Sequence, residues 1–244
     1  MLTPRQWSLE SMVQMLSGLL LCLAGGMIAH QFLVPGDLAG TGTGKFLSAI
    51  IHAVFFHVGG FLCVAWLLSL EKTGWSEGFG LKLNLKWAVV GGVLVAIFVS
   101  PLVMFLQGLL AQVLTPKGEA PKVQEMVRTI EQTVAIDQLV FYGLMAIVLA
   151  PVIEELLFRG IFYPAIKSRG RPRLALWGTS FMFALVHSNL LTFLPLALLA
   201  VVLVQLYERT GNLLAPILAH SGFNTINFLL LIYREELTQL LRAG

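Results

Sequence analysis

The sequence predicts an all-α fold: a polytopic transmembrane bundle of about seven spans, with six to eight admissible, and one amphipathic helix at the membrane interface. Three observations predict it. Of 244 residues, 57% are hydrophobic and 12% charged, about half the charged share of a water-soluble domain, so much of the surface must face lipid. Apolar runs near the ~20 residues needed to cross a hydrocarbon core recur along the whole chain. They are continuous, not alternating, and in lipid only a helix or a closed barrel satisfies its own backbone, so the spans are helices.

The runs cover residues 12–34, 46–70, 87–113, 134–162, 174–187, 193–207 and 213–232, separated by short polar or Gly/Pro-containing links. The first follows Arg5 and resembles a signal sequence, but it exceeds the roughly 7–15 apolar residues of such a segment and reads as a true span. Cys22 and Cys63 lie inside apolar runs and read as small buried hydrophobes, with no disulfide framework. Between the third and fourth runs, Val123, Met126, Val127, Ile130 and Val134 recur at helical spacing behind Pro121, with Lys122, Glu125, Arg128 and Glu131 at the other positions. That pattern is an interfacial amphipathic helix. We divide the chain into an N-terminal part, 1–133, and a core, 134–244, within one integral membrane unit.

Net charge is +3, but the basic residues are scattered and form no stripe for a phosphate backbone, which argues against a nucleic-acid partner. Lys167, Arg169, Arg171 and Arg173 crowd one short link without an acid. By the positive-inside rule this loop is cytoplasmic, in the cell membrane. Alternation then puts Arg5, the loop of Lys72, Lys82 and Lys86, and Arg209 inside. Lys45, the loop of Lys117, Lys122 and Arg128, Arg234 and Arg242 fall outside.

Polar groups stand where lipid-facing spans should have none. The fourth run contains Glu154, Glu155 and Arg159, and each such residue near a span's centre costs roughly 2.5–3.5 kcal/mol on insertion scales. Glu155 and Arg159, spaced i,i+4, can neutralise each other as a structural pair. Glu154 points about 100° away around the helix and is left for another task, that of a general base. His187 ends the fifth run, and His220 and Asn224 share one face of the last. Measured from the nearest cytoplasmic charge at 1.5 Å per residue, Glu155, His187 and His220 lie roughly 18, 21 and 17 Å deep. Three helices thus bring polar groups to one level, which defines a single chamber. His30, His52 and His57 read as packing or interface residues.

A carboxylate base, two histidines and an amide, with no cysteine or serine nucleophile, suit activation of water against a carbonyl. Glu154 and His187 would hold and deprotonate the water, and His220 and Asn224 would donate to the developing oxyanion. The same groups offer a zinc alternative, with Glu154, His187 and His220 as ligands, although His-Glu-x-x-His is absent.

These residues carry a resemblance. Glu-Glu-x-x-x-Arg at 154–159, Phe-x-x-x-His at 183–187 and His-x-x-x-Asn at 220–224, in that order on successive spans, are similar to the three motifs of the CPBP family. It comprises the CAAX prenyl endopeptidases and their bacterial Abi, or bacteriocin-processing, relatives. The resemblance covers about 134–232 and implies an intramembrane glutamate endopeptidase. In it Glu154 is the base, His187 helps hold the water, and His220 with Asn224 forms the oxyanion site. Glu155, Arg159 and Phe183 support them. It implies a peptide or membrane-protein substrate in the bilayer. No feature of this chain indicates a prenyl group, and no cofactor is favoured over zinc-free catalysis. The alternative is a non-catalytic membrane protein, a proton-coupled transporter or a scaffold or immunity protein that retains the chamber, because buried Glu and His also serve as proton relays.

Overall fold

A computed structural model describes residues 6–116 and 125–243, and among them every regular element is helical. We number the helices α1 Leu9–Leu33, α2 Gly42–Leu70, α3 Trp75–Phe79, α4 Leu85–Leu114, α5 Glu125–Glu131, α6 Ile136–Lys167, α7 Pro172–Leu185, α8 Leu190–Thr210, α9 Leu214–Ile232 and α10 Arg234–Ala243. Six of them, α1, α2, α4, α6, α8 and α9, are long and apolar enough to span a membrane.

The chain is therefore an integral membrane helical bundle, and the six spans among the described residues lie within the expected six to eight. The run at 174–187 does form a helix, but α7 has only 14 residues. At 1.5 Å per residue it rises about 21 Å, short of the roughly 30 Å hydrocarbon core. Pro172 opens α7 at its first turn, where a missing N–H costs nothing. The helix stops before Ser188, whose φ of 50° lies in the left-handed region. Asn189 then caps α8, its side-chain oxygen accepting from Leu191 N–H at 2.9 Å. The α7–α8 hairpin thus bends at 186–189 and holds His187 at the bend.

Of the amphipathic segment, Pro121, Lys122 and Val123 lie outside the described residues. Its described part, α5, ends at Glu131, earlier than the spacing up to Val134 suggested. Ile130 is buried in a small cluster with Ala49 and Tyr142. Glu131 accepts from Arg234 at 2.9 Å, so the segment is tied to the start of α10.

Small residues let the central helices approach. A Cβ on Gly222 of α9 would lie 2.4 Å from the Ala96 Cβ of α4, and one on Gly92 of α4 would lie 2.8 Å from the Ala215 carbonyl of α9. Without a hydrophobic drive between helices in lipid, such close backbone contact is what holds membrane helices together. At one end of the bundle, Asn212 donates to the Leu81 and Leu83 carbonyls at 3.1 and 2.7 Å, and Asn84 donates to Thr210 O at 2.9 Å. These bonds fasten the α3–α4 turn to the α8–α9 turn. Lys167 and Tyr163 on α6 both donate to Glu208 on α8, so part of the positive charge of the 167–173 loop is matched.

The cysteines meet, although no framework was expected. Cys22 Sγ would lie 3.0 Å from a Cβ on Gly59, and Cys63 Sγ 3.2 Å from one on Gly18. Each sulfur fills the notch of a glycine four residues from the other cysteine, and both thiols are free.

Helix α6 is not a uniform α-helix. Its backbone widens to π geometry at Met145–Leu149 and Leu156–Phe162, on either side of an α segment, Ala150–Glu155, that carries both glutamates. A proline follows each wide stretch closely, Pro151 after the first and Pro164 after the second. The backbone stays helical from Ile136 to Lys167, and the wider register accommodates the prolines. The N-terminal part braces the second wide stretch: Trp7 Nε1 donates to the Gly160 carbonyl at 2.9 Å, and Phe79, fully buried, lies against Gly160. A Cβ there would stand 2.7 Å from Phe79 Cε1, and the ring is held between Trp7 and Trp75 at centroid distances of 6.0 and 5.8 Å. Gly160→Ala is expected to cost about 1–3 kcal/mol through overpacking. Thermal unfolding in detergent checks this, and an unchanged midpoint would show that Phe79 yields.

Candidate active site

Three helices, α6, α7 and α9, supply the site. The α segment of α6 presents Glu154 and Glu155, and its second wide stretch presents Arg159. The end of α7 presents Phe183 and the bend beyond it His187. Helix α9 presents His220 and Asn224.

At the centre stands Glu155, with no exposed surface. Its Oε1 accepts from Arg159 Nη1 at 2.8 Å and lies 2.9 Å from His220 Nδ1. The Glu155–Arg159 pair follows from spacing, but the histidine contact does not, since it joins residues 65 positions apart. Arg159, 1% exposed, also reaches the Ala200 carbonyl with Nη2 at 3.3 Å and lies over the Phe183 ring at 4.5 Å from its centroid. A buried guanidinium is thus met by a carboxylate, a carbonyl and an aromatic face, the partners that offset its desolvation. Glu155 Oε2 is buried and has no hydrogen-bond partner among the described residues.

His220 links the two glutamates. With Nδ1 on Glu155, its ring presents Nε2 to Glu154, 3.9 Å from Oε2. The Glu154 side chain keeps 18% of its surface accessible, whereas His220 and Glu155 are sealed. A water within the usual 2.7–3.2 Å of each group fits a separation of 3.9 Å. The two carboxylates therefore differ in setting: one is locked in a buried pair, and the other is open on one side.

Phe183 is the hub that spacing did not reveal. Fully buried, its ring lies 5.0 Å from His187, 5.6 Å from His220 and 5.3 Å from Phe158, besides its contact with Arg159. It sets both imidazoles around one aromatic wall. His187 Nδ1 lies 2.8 Å from the Phe183 carbonyl; a proton on Nδ1 for that bond leaves Nε2 as a lone-pair acceptor. Asn224 faces elsewhere in part: its Nδ2 donates to the Ala146 carbonyl of α6 at 2.7 Å. One of its two amide hydrogens is thereby engaged.

The other histidines sit among the N-terminal helices. His30 Nε2 is 2.9 Å from Ser48 Oγ, and His52 and His57 lie ring to ring at 5.3 Å beside Phe56. For zinc, Glu154, His187 and His220 do not form a ligand set in this geometry. Among the described residues no three His, Cys, Asp or Glu side chains are grouped as ligands of one ion, and His220 turns one nitrogen to Glu155.

Residues 136–226 match the model of the family described as type II CAAX prenyl endopeptidase Rce1-like. That segment is similar to this family. The match contains Glu154, Glu155, Arg159, Phe183, His187, His220 and Asn224 and takes in α6, α7, α8 and most of α9. An uncharacterized 24.3 kDa protein of Escherichia coli is 38% identical over 87 residues, 34% of this chain and 40% of that protein. The aligned part thus spans well under half the length of that relative. No solved structure matches the chain. The Rce1-like segment coincides with the part where sequence alone placed the motifs, and α1 to α5 lie outside it.

Proposed function

We propose that this protein is an intramembrane endopeptidase in which Glu154 activates a water molecule against a peptide carbonyl. The observation that carries the reading is the arrangement about His220: Nδ1 on the sealed Glu155 at 2.9 Å and Nε2 turned to the accessible Glu154 at 3.9 Å. In this reading Glu154 Oε2 takes a proton from the water as the hydroxyl oxygen bonds to the carbonyl carbon, and later returns it to the leaving amine. His187, with Nε2 free to accept, helps to hold the water. His220, as the imidazolium with its Nδ1 proton on Glu155, has an Nε2–H to donate to the oxyanion, joined by the second amide hydrogen of Asn224. Glu155, Arg159 and Phe183 keep His220 in place. The substrate is a peptide or a membrane-protein segment that reaches the bundle through lipid. The Rce1-like match supports cleavage of this kind and adds prenylated C-termini to the candidates.

The test is to compare, by mass spectrometry, the membrane peptides that accumulate with Glu154→Gln against those seen with the wild type. The accumulated peptides are then returned to wild-type protein in proteoliposomes. Cleavage is expected, and no difference between the two membranes would overturn the reading.

Metal dependence is tested in the same assay. We propose that carboxylate and imidazole suffice, so turnover is expected to survive exhaustive chelation, with less than stoichiometric zinc by elemental analysis. Activity lost to chelator and restored by zinc would instead make Glu154, His187 and His220 ligands.

A further inference from the structure

The backbone of α6 leaves a particular carbonyl without a donor. In an α-helix Ala146 O would receive the Ala150 N–H, but that N–H bonds five residues back, to Met145 O. In the five-residue register that follows, the donor for Ala146 O would be residue 151, and Pro151 has no N–H. Both registers therefore fail at Ala146. Inside a lipid-embedded bundle, where no bulk water can compensate, an unmet carbonyl is expensive. The Asn224 amide meets it, donating at 2.7 Å from α9.

A related loss lies one wide stretch later, in the α register. Gly160 O has its α-register donor at residue 164, which is Pro164, and it accepts instead from Trp7 Nε1 at 2.9 Å. Each of these prolines thus has a carbonyl four or five residues back that accepts from a distant side chain: Asn224 of α9 for Pro151, and Trp7, just before α1, for Pro164. The two substituted bonds fall on the two wide stretches that flank the Ala150–Glu155 segment.

We propose that Asn224 is a positioning residue: its amide replaces the backbone donor that Pro151 lacks and so fixes the turn of α6 on which Glu154 is aimed. This deepens the endopeptidase reading, since it gives Asn224 a task that comes before any contact with substrate. It also gives Asn224 an energetic partner, Pro151. Pro151 and Asn224 need each other only through the Ala146 carbonyl. Restoring an N–H at residue 151 should make the Asn224 amide dispensable to the helix.

The experiment is a double-mutant cycle on the full chain in detergent or proteoliposomes, with variants Asn224→Ala, Pro151→Ala and the pair. Two readouts need no substrate: the melting temperature, and the rate at which a hydrophobic carbodiimide labels Glu154, read by mass spectrometry. Asn224→Ala alone is expected to lower the melting temperature by roughly 4–8 °C, the size expected for a buried carbonyl left unmet. It should also change the Glu154 labelling rate several-fold. In the Pro151→Ala background the same substitution should cost less than half as much, and the labelling rate should return toward that of the wild type. A side chain that merely fills space gives the same loss in both backgrounds and leaves Glu154 labelling unmoved. Either result would overturn the proposal. Should Asn224→Ala fail to fold, the double variant still decides: it folds if the backbone donor has been restored and fails with the single variant if not. Since neither readout requires turnover, the outcome stands apart from the success or failure of the endopeptidase reading.

Discussion

Glu154→Gln is expected to reduce peptide hydrolysis by roughly 10²–10⁴-fold, the usual contribution of a positioned general base, while the protein still folds. Glutamine keeps the shape and can hydrogen-bond, but it cannot take a proton from water. The fold should survive because Glu154 is outside the bonded buried pair, with 18% of its side-chain surface accessible and His220 Nε2 3.9 Å from its Oε2. Its melting temperature should therefore lie within about 2 °C of the wild type, as for substitutions that disturb no buried network. Turnover at the wild-type rate, on a peptide that accumulates in the variant's membranes, would remove Glu154 from the mechanism. A large loss of stability would show instead that the two glutamates are not divided as the geometry indicates.

The opposite signature is expected one residue later. Glu155→Gln leaves Arg159 in a site with 1% exposure and without the carboxylate it bonds, and breaking a buried pair from one side costs about 3–5 kcal/mol. In a chain of this size that is a fall of roughly 6–20 °C in melting temperature. Arg159→Met should be as damaging, because Glu155 is then left facing His220 alone. Replacing both together should restore part of the loss, since the guanidinium is then no longer stranded, while His220 still lacks its carboxylate partner. Glu155→Gln should also lower activity more than its stability loss explains, because His220 loses the carboxylate that orients its ring at 2.9 Å. If either single variant melts like the wild type, the pair is not the anchor described above.

The sequence by itself determined that this chain lives in lipid, because a low charge content and long apolar runs are properties of composition and order alone. It also singled out Glu154, Glu155, Arg159, His187, His220 and Asn224, because polar groups in apolar helices are costly and stand out without any knowledge of neighbours; Phe183 entered only through the resemblance. Spacing within one helix gave the Glu155–Arg159 pair, a local contact one turn long. What it did not contain were contacts between helices. The bend that holds His187 is set by the turn at Ser188 and Asn189, which ends α7 and caps α8. The contact of His220 with Glu155, the Phe183 hub, the Ala200 carbonyl on Arg159 and the meeting of Cys22 with Cys63 all join residues on different helices. Periodicity measures a helix against itself and is blind to such pairs. The wide turns of α6 were hidden for the same reason. Pro151 announced a missing donor, but only the packing of α9 against α6 decided that the backbone would widen instead of breaking and that Asn224, 78 residues away, would supply the bond.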